Sequence, residues 1–89
     1  MDFNVKSSPK TFRLLSLPLS SDKVIKILIK IGFQKIRQRG SHVFFRHPDG
    51  RKTVVPVHRG EELGRGMLRK IIKDVELTRE DFLELVKKL

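Results

Sequence analysis

The sequence predicts an α+β domain in which helices cover one face of a three-stranded antiparallel sheet. The order is α-β-β-β-α, with an extra C-terminal helix. Three observations lead there: apolar residues recur at helical spacing early and late in the chain, three short strand-like runs lie between them, and turn signals separate those runs. At 89 residues the chain has room for one domain and one modest core.

The first helix is expected over SSDKVIKILIKIGF. Ser20 or Ser21 can cap it, Asp22 suits the positive end of its dipole, and Gly32 can supply a left-handed stop. Val24, Ile27, Leu28 and Ile31 fall on one side, with Lys23, Lys26 and Lys30 mostly opposite. The strand-like runs are QKIRQ, HVFFRH and KTVVPV. Gly40-Ser41 between the first two suits a type II′ hairpin turn. Pro48-Asp49-Gly50-Arg51 between the last two reads as a four-residue turn. The second helix is expected to begin near Arg65, after a flexible GEELG link, and to turn Met67, Leu68, Ile71 and Ile72 inward. The third is TREDFLELVKKL. There Thr78 and Asp81 resemble a capping box, and Phe82, Leu85, Val86 and Leu89 form the apolar stripe. Residues 1–19 show no convincing period, and residues 1–16 are expected to be a flexible extension to a domain spanning 17–89.

Composition narrows the function. Hydrophobic residues make up 38% and charged residues 34%, a globular mixture. The absence of cysteine excludes a disulfide scaffold, a thiol nucleophile and the common zinc spacings. No apolar run approaches the roughly 18 residues of a membrane span. FRLLSLPL is too short for a signal peptide, is broken by Pro18 and lacks a cleavage pattern, so a cytoplasmic location is expected. The net charge of +10 is concentrated centrally: residues 23–73 carry fourteen Lys or Arg against three acids, whereas residues 74–89 carry three against five. A polyanion is the natural partner of such a segment, nucleic acid before an anionic membrane.

Hairpin register places these charges. A two-residue turn at Gly40-Ser41 sets Arg39 opposite His42, Arg37 opposite Phe44, Ile36 opposite Phe45 and Lys35 opposite Arg46. A four-residue turn at Pro48–Arg51 sets Phe45 opposite Val54 and Phe44 opposite Val55. Side chains alternate across a sheet, so one face collects Ile36, Val43, Phe45, Val54 and Pro56 as core. The other collects Lys35, Arg37, Arg39, His42, Phe44, Arg46 and Thr53. Opposed Lys35 and Arg46 weaken a hairpin, as on a face held for an anion. Phe44 among the cations can stack on a base or extend the core. His42 stands at the mouth of the tight turn, where Gly40 lets a phosphate approach the backbone and Ser41 can donate a hydroxyl hydrogen bond. His47, before Pro48, reads as structural. His58, just past the last strand, is either a helper or a polar strand end.

The string GFQKIRQRGSHVFFRHPDGRKTVVPVH, followed by LGRGMLRKIIKD, strongly resembles the HicA-type mRNA interferase toxins of toxin–antitoxin pairs. The likeness runs from about Leu17 to Leu85. It takes in the Gly40-Ser41-His42 tripeptide, the His47-Pro48-Asp49-Gly50 turn, the Val55-Pro56-Val57-His58 strand end and the Leu-Gly-Arg-Gly entry to the second helix. The resemblance implies a fold like that of double-stranded RNA-binding domains, ribosome-independent cleavage of mRNA with His42 essential, and a HicB-type antitoxin that covers the active site. The extension before Leu17 is longer than the family usually shows.

Only Asp49, Glu61 and Glu62 are acidic in the central segment, and they are badly placed to converge on metals. A route without metal or other cofactor is therefore expected, with His42 as general acid or base. The candidate RNA contacts are Lys35, Arg37, Arg39, Gly40, Ser41, Phe44, Arg46, Arg51, Lys52, His58 and Arg65. The main competing expectation is a non-catalytic double-stranded RNA-binding module; a third is a domain whose basic face docks an acidic protein.

Overall fold

The computed structural model describes residues 19–58 and 61–89, so the expected N-terminal extension lies outside the described residues. The elements are β1 (Leu19–Ser20), α1 (Ser21–Lys30), β2 (Gln34–Arg39), β3 (His42–Arg46), β4 (Lys52–Pro56), β5 (Glu62–Leu63), α2 (Arg65–Asp74) and α3 (Arg79–Lys87). The expected α-β-β-β-α order with a C-terminal helix is present, and the main sheet is antiparallel in the order β2-β3-β4.

Local chemistry sets the helix ends. Ser20 caps α1 by accepting the Lys23 N–H at 3.2 Å, and Gly32 leaves the helix with φ +104. Thr78 caps α3 by accepting the Asp81 N–H at 3.0 Å. Val24, Ile27 and Leu28 of α1 and Leu68, Ile71 and Ile72 of α2 form the core with Val43, Phe45 and Val55 of the sheet. Phe82 and Leu83 of α3 complete it. Leu83 takes the inward place expected for Leu89, which remains half exposed past the helix end.

Two register expectations are corrected. The β3–β4 turn is one residue shorter than expected, because His47 and Arg51 close it and only Pro48, Asp49 and Gly50 span it. The His47 N–H donates to the Arg51 carbonyl at 2.8 Å, the Gly50 N–H donates to the His47 carbonyl at 2.9 Å, and Gly50 lies at φ +103. This is the three-residue loop in which a left-handed residue follows a tight turn. Phe44 therefore faces Val54, and Phe45 faces Thr53. A one-residue slip exchanges faces: Val54 and Pro56 leave the core face, and Thr53 joins it. Its hydroxyl is satisfied there by donating to Asp74 Oδ2 at 2.9 Å.

The second correction lies in β2. Pairing follows expectation from Arg39↔His42 to Arg37↔Phe44, then shifts by one at a bulge, so that Lys35 faces Phe45 and Gln34 faces Arg46. Ile36 is the extra residue and is exposed rather than in the core. The expected opposition of Lys35 and Arg46 does not occur. The β2–β3 turn is of the expected type, with Gly40 at φ +57 and Ser41 not in the left-handed region. The link expected to be flexible contains β5, which pairs with β1 through Leu19↔Leu63 and Ser20↔Glu62.

Candidate nucleic-acid interface

The helices cover one face of the sheet and leave the other open. On the open face β2 contributes Arg37 and Arg39, β3 contributes His42, Phe44 and Arg46, and β4 contributes Lys52, Val54 and Pro56. None of these strand residues is acidic. Arg39, Arg46 and Lys52 form no ion pair among the described residues, while Asp49, Asp74 and Glu84 are paired elsewhere. Arg37 lies over the Phe44 ring, its guanidinium carbon 4.5 Å from the centroid, a cation–π contact that fixes a flat cationic plate on the half-buried aromatic.

His42 opens β3 in the middle strand, paired with Arg39 on one side and Pro56 on the other. It is exposed, and neither ring nitrogen has a hydrogen-bond partner among the described residues. The adjacent turn is firm: the Val57 N–H donates to the Ser41 carbonyl at 2.6 Å, and Gln38 Nε2 donates to the Gly40 carbonyl at 3.1 Å. A Cβ at Gly40 would meet nothing within 4 Å, so the backbone beside His42 is open to a ligand. The arrangement sets an exposed imidazole without a hydrogen-bond partner beside cations that form no ion pair among the described residues.

Not every candidate contact joins this face. Lys35 sits on the other side of β2, and its Nζ donates to Gln38 Oε1 at 3.1 Å. Arg51 is committed to structure: its Nε donates to Asp49 Oδ2 at 2.9 Å, it reaches the Val75 carbonyl at the end of α2, and it lies over Phe33. The Arg51 N–H bonding to Asp49 Oδ1 holds the Asp49 carboxyl below its ordinary value; desolvation opposes it, and the Arg51 guanidinium and His47 reinforce it. His58 lines a hollow with Asp22, Glu61 and Glu62, among carboxylates rather than cations. Arg65 opens α2, off the sheet. Among the described residues, no three His, Asp or Glu side chains cluster closely enough to hold a metal ion.

His47 is structural, as its position before Pro48 implies. Its Nε2 lies 3.1 Å from the Ile31 carbonyl, to which it donates, and Nδ1 accepts the Asp49 N–H at 3.1 Å. Asp49 Oδ1 also lies 3.0 Å from Nδ1, so an imidazolium would find a carboxylate where the neutral ring finds an amide. The ring packs edge-on against Phe33 with centroids 5.1 Å apart. Thus the end of α1 and the β3–β4 turn are fastened by one side chain.

A family model described as the HicA toxin of bacterial toxin–antitoxin pairs matches residues 21–77, well over half of the chain. The chain belongs to the HicA toxin family. It is therefore a toxin of a toxin–antitoxin system, and an antitoxin partner goes with that membership. No curated protein matches it. The HicA match covers the entire open face and both hairpin turns but ends before α3, whose Phe82 is nonetheless fully buried.

Sequence reasoning missed one feature of the interface. A hollow of about 510 Å³ is lined by Ile36, Arg37, Phe44, Phe45, Arg46, Lys52, Thr53, Val54, Lys70 and Asp74. An unbulged register with a four-residue turn points Ile36 and Val54 inward, and nothing in the helical pattern marks Lys70 and Asp74 as their neighbours. No described helix is long and apolar enough to cross a membrane.

Proposed function

We propose that this HicA-family toxin is a metal-independent endoribonuclease that cleaves mRNA at His42 and is neutralised by a HicB-type antitoxin. The observation that carries the reading is the exposed, unbonded His42 imidazole on a sheet face whose charged strand residues are all cations. The RNA 2′-oxygen attacks the adjacent phosphorus and the bond to the 5′-oxygen breaks, giving a 2′,3′-cyclic phosphate and a 5′-hydroxyl. His42 either takes the proton from the 2′-hydroxyl or gives one to the departing 5′-oxygen, and water completes the other transfer. Arg39, with Arg37 or Arg46, offsets the charge that builds on the phosphate oxygens. With a single imidazole the reaction is slow beside that of nucleases that use two. A HicB-type antitoxin that covers this face would block substrate and neutralise toxicity together.

The test is cleavage of a labelled, structured RNA in EDTA by the wild type and by His42→Ala. The expected result is cutting by the wild type, with cyclic phosphate ends, and RNA binding without cutting by the variant. Products with 3′-hydroxyl ends and a magnesium requirement would overturn the mechanism. Equal binding by both proteins with no cutting by either, at high protein concentration, would leave a non-catalytic RNA-binding module instead.

A further inference from the structure

The turn before His42 is held from the helix-covered side of the sheet by two side chains in series. Lys35 and Gln38 both fall on that side of β2, because Ile36 between them is the extra residue of the bulge. Lys35 Nζ donates to Gln38 Oε1 at 3.1 Å, and Gln38 Nε2 donates to the Gly40 carbonyl at 3.1 Å. An ammonium only donates, so Lys35 meets the amide oxygen and leaves the amide nitrogen for Gly40.

The consequence lies at the other end of the same peptide. The Gly40 carbonyl and the Ser41 N–H belong to one trans peptide, so they point in opposite directions. Gln38 draws the carbonyl toward the covered side, and the Ser41 N–H is thereby turned toward the side on which Arg39 and His42 stand. That N–H donates to nothing among the described residues, and Gly40 has no side chain to screen it. Turned over, the peptide would make a type I′ turn and force Ser41 into the left-handed region, which it does not occupy. The Ser41 carbonyl is fixed as well, by the Val57 N–H at 2.6 Å.

We propose that the Ser41 backbone N–H donates to a non-bridging oxygen of the phosphate that is cut, and that Gln38 is the positioning residue that keeps it aimed. The proposal rests on the cleavage reading above and adds a neutral donor to its arginines. Arginine side chains can swing. A peptide held at both carbonyls needs little reorganisation as charge builds on the oxygen. Lys35 supports the arrangement from outside by fixing which end of the Gln38 amide meets Gly40.

The experiment compares the full chain with Gln38→Met, which keeps length and neutrality but loses the donor. The substrates are an all-oxygen RNA and the same RNA with one phosphorothioate at the linkage the wild type cuts, its two diastereomers separated. On the all-oxygen RNA, Gln38→Met is expected to lower kcat about three- to tenfold, the scale of one hydrogen bond, with KM within about twofold. Sulfur accepts hydrogen bonds poorly. The wild type is therefore expected to cut one diastereomer about tenfold more slowly than the other, and Gln38→Met to narrow that gap about threefold. A merely structural part for Gln38 would lower the melting temperature or raise KM and leave the diastereomer ratio alone. That result, an unchanged kcat, or equal cutting of both diastereomers by the wild type overturns the proposal while the cleavage reading stands. Failure of the wild type to cut the all-oxygen RNA at high protein concentration removes both.

Discussion

Gly32 and His47 meet at close range. A Cβ on Gly32 would lie 2.7 Å from His47 Nε2, and its backbone is held at φ +104. Gly32→Ala is therefore expected to cost about 1–3 kcal/mol, read as a fall in the urea midpoint; a change below about 0.5 kcal/mol would show that the ring moves aside freely. Asp49 supplies a test by pH. Its folded pKa lies below the ordinary 3.8, so its contribution is fully present above that pH and is lost as pH falls through the lower folded value. Asp49→Asn still accepts the Arg51 N–H but has no charge to lose, so the variant's stability is expected to fall less steeply below pH 3.8 than the wild type's. Unchanged acid melting curves would assign that limb to other carboxylates. At this scale the sequence was uneven. Proline after His47 marked it as a turn residue, and Gly40-Ser41-His42 stood out as a unit. Asp74 carried no signal, because an aspartate at a helix end looks the same whether or not a strand threonine meets it.

Helix placement was legible because caps and apolar spacing agree: α2 starts at Arg65, and Thr78 caps α3 as its hydroxyl chemistry requires. Strand faces were less so, since a face depends on counting turn residues and Pro-Asp-Gly-Arg fits a four-residue turn as readily as a three-residue one. That single count moved Thr53 inward and Val54 outward. The β1–β5 pair is too short for any pattern to reveal. α3 is the element whose weight is easiest to test. The family match stops at residue 77, yet Phe82 is completely buried against the shared core. Phe82→Ala is expected to cost about 3–5 kcal/mol in chemical denaturation, as for a large buried aromatic elsewhere. A loss under about 1 kcal/mol would make α3 an accessory to a core that stands without it.

Across the molecule, cations lie on both sides of the sheet. The helices α1 and α2 are net basic and only α3 is net acidic, while the open side of the sheet presents Arg37, Arg39, Arg46 and Lys52 with no acidic strand residue among them. If those four neutralise four phosphates of a single strand, binding should weaken with salt at a log–log slope of about −3, near −0.7 for each contact. Arg39→Gln is then expected to reduce the slope by about 0.7, whereas Lys35→Gln, on the other side of β2, should leave it nearly unchanged. Equal slopes for both variants would mean that RNA wraps past the sheet edge. The central charge was plain in the sequence. Its division between two sides of one strand was not, because it depends on the bulge at Ile36.

That bulge gives the chain an unusual tolerance. Losing one codon from a strand ordinarily turns every later side chain over and ruins the fold. Here Ile36 has no partner across the ladder, so an in-frame deletion of its codon would join Lys35 to Arg37 with Gln34, Lys35, Arg37, Gln38 and Arg39 still facing the residues they face now. The cost would fall on the hollow, which loses a wall. A length variant at this position would separate the architecture of the hairpin from the shape of what it holds.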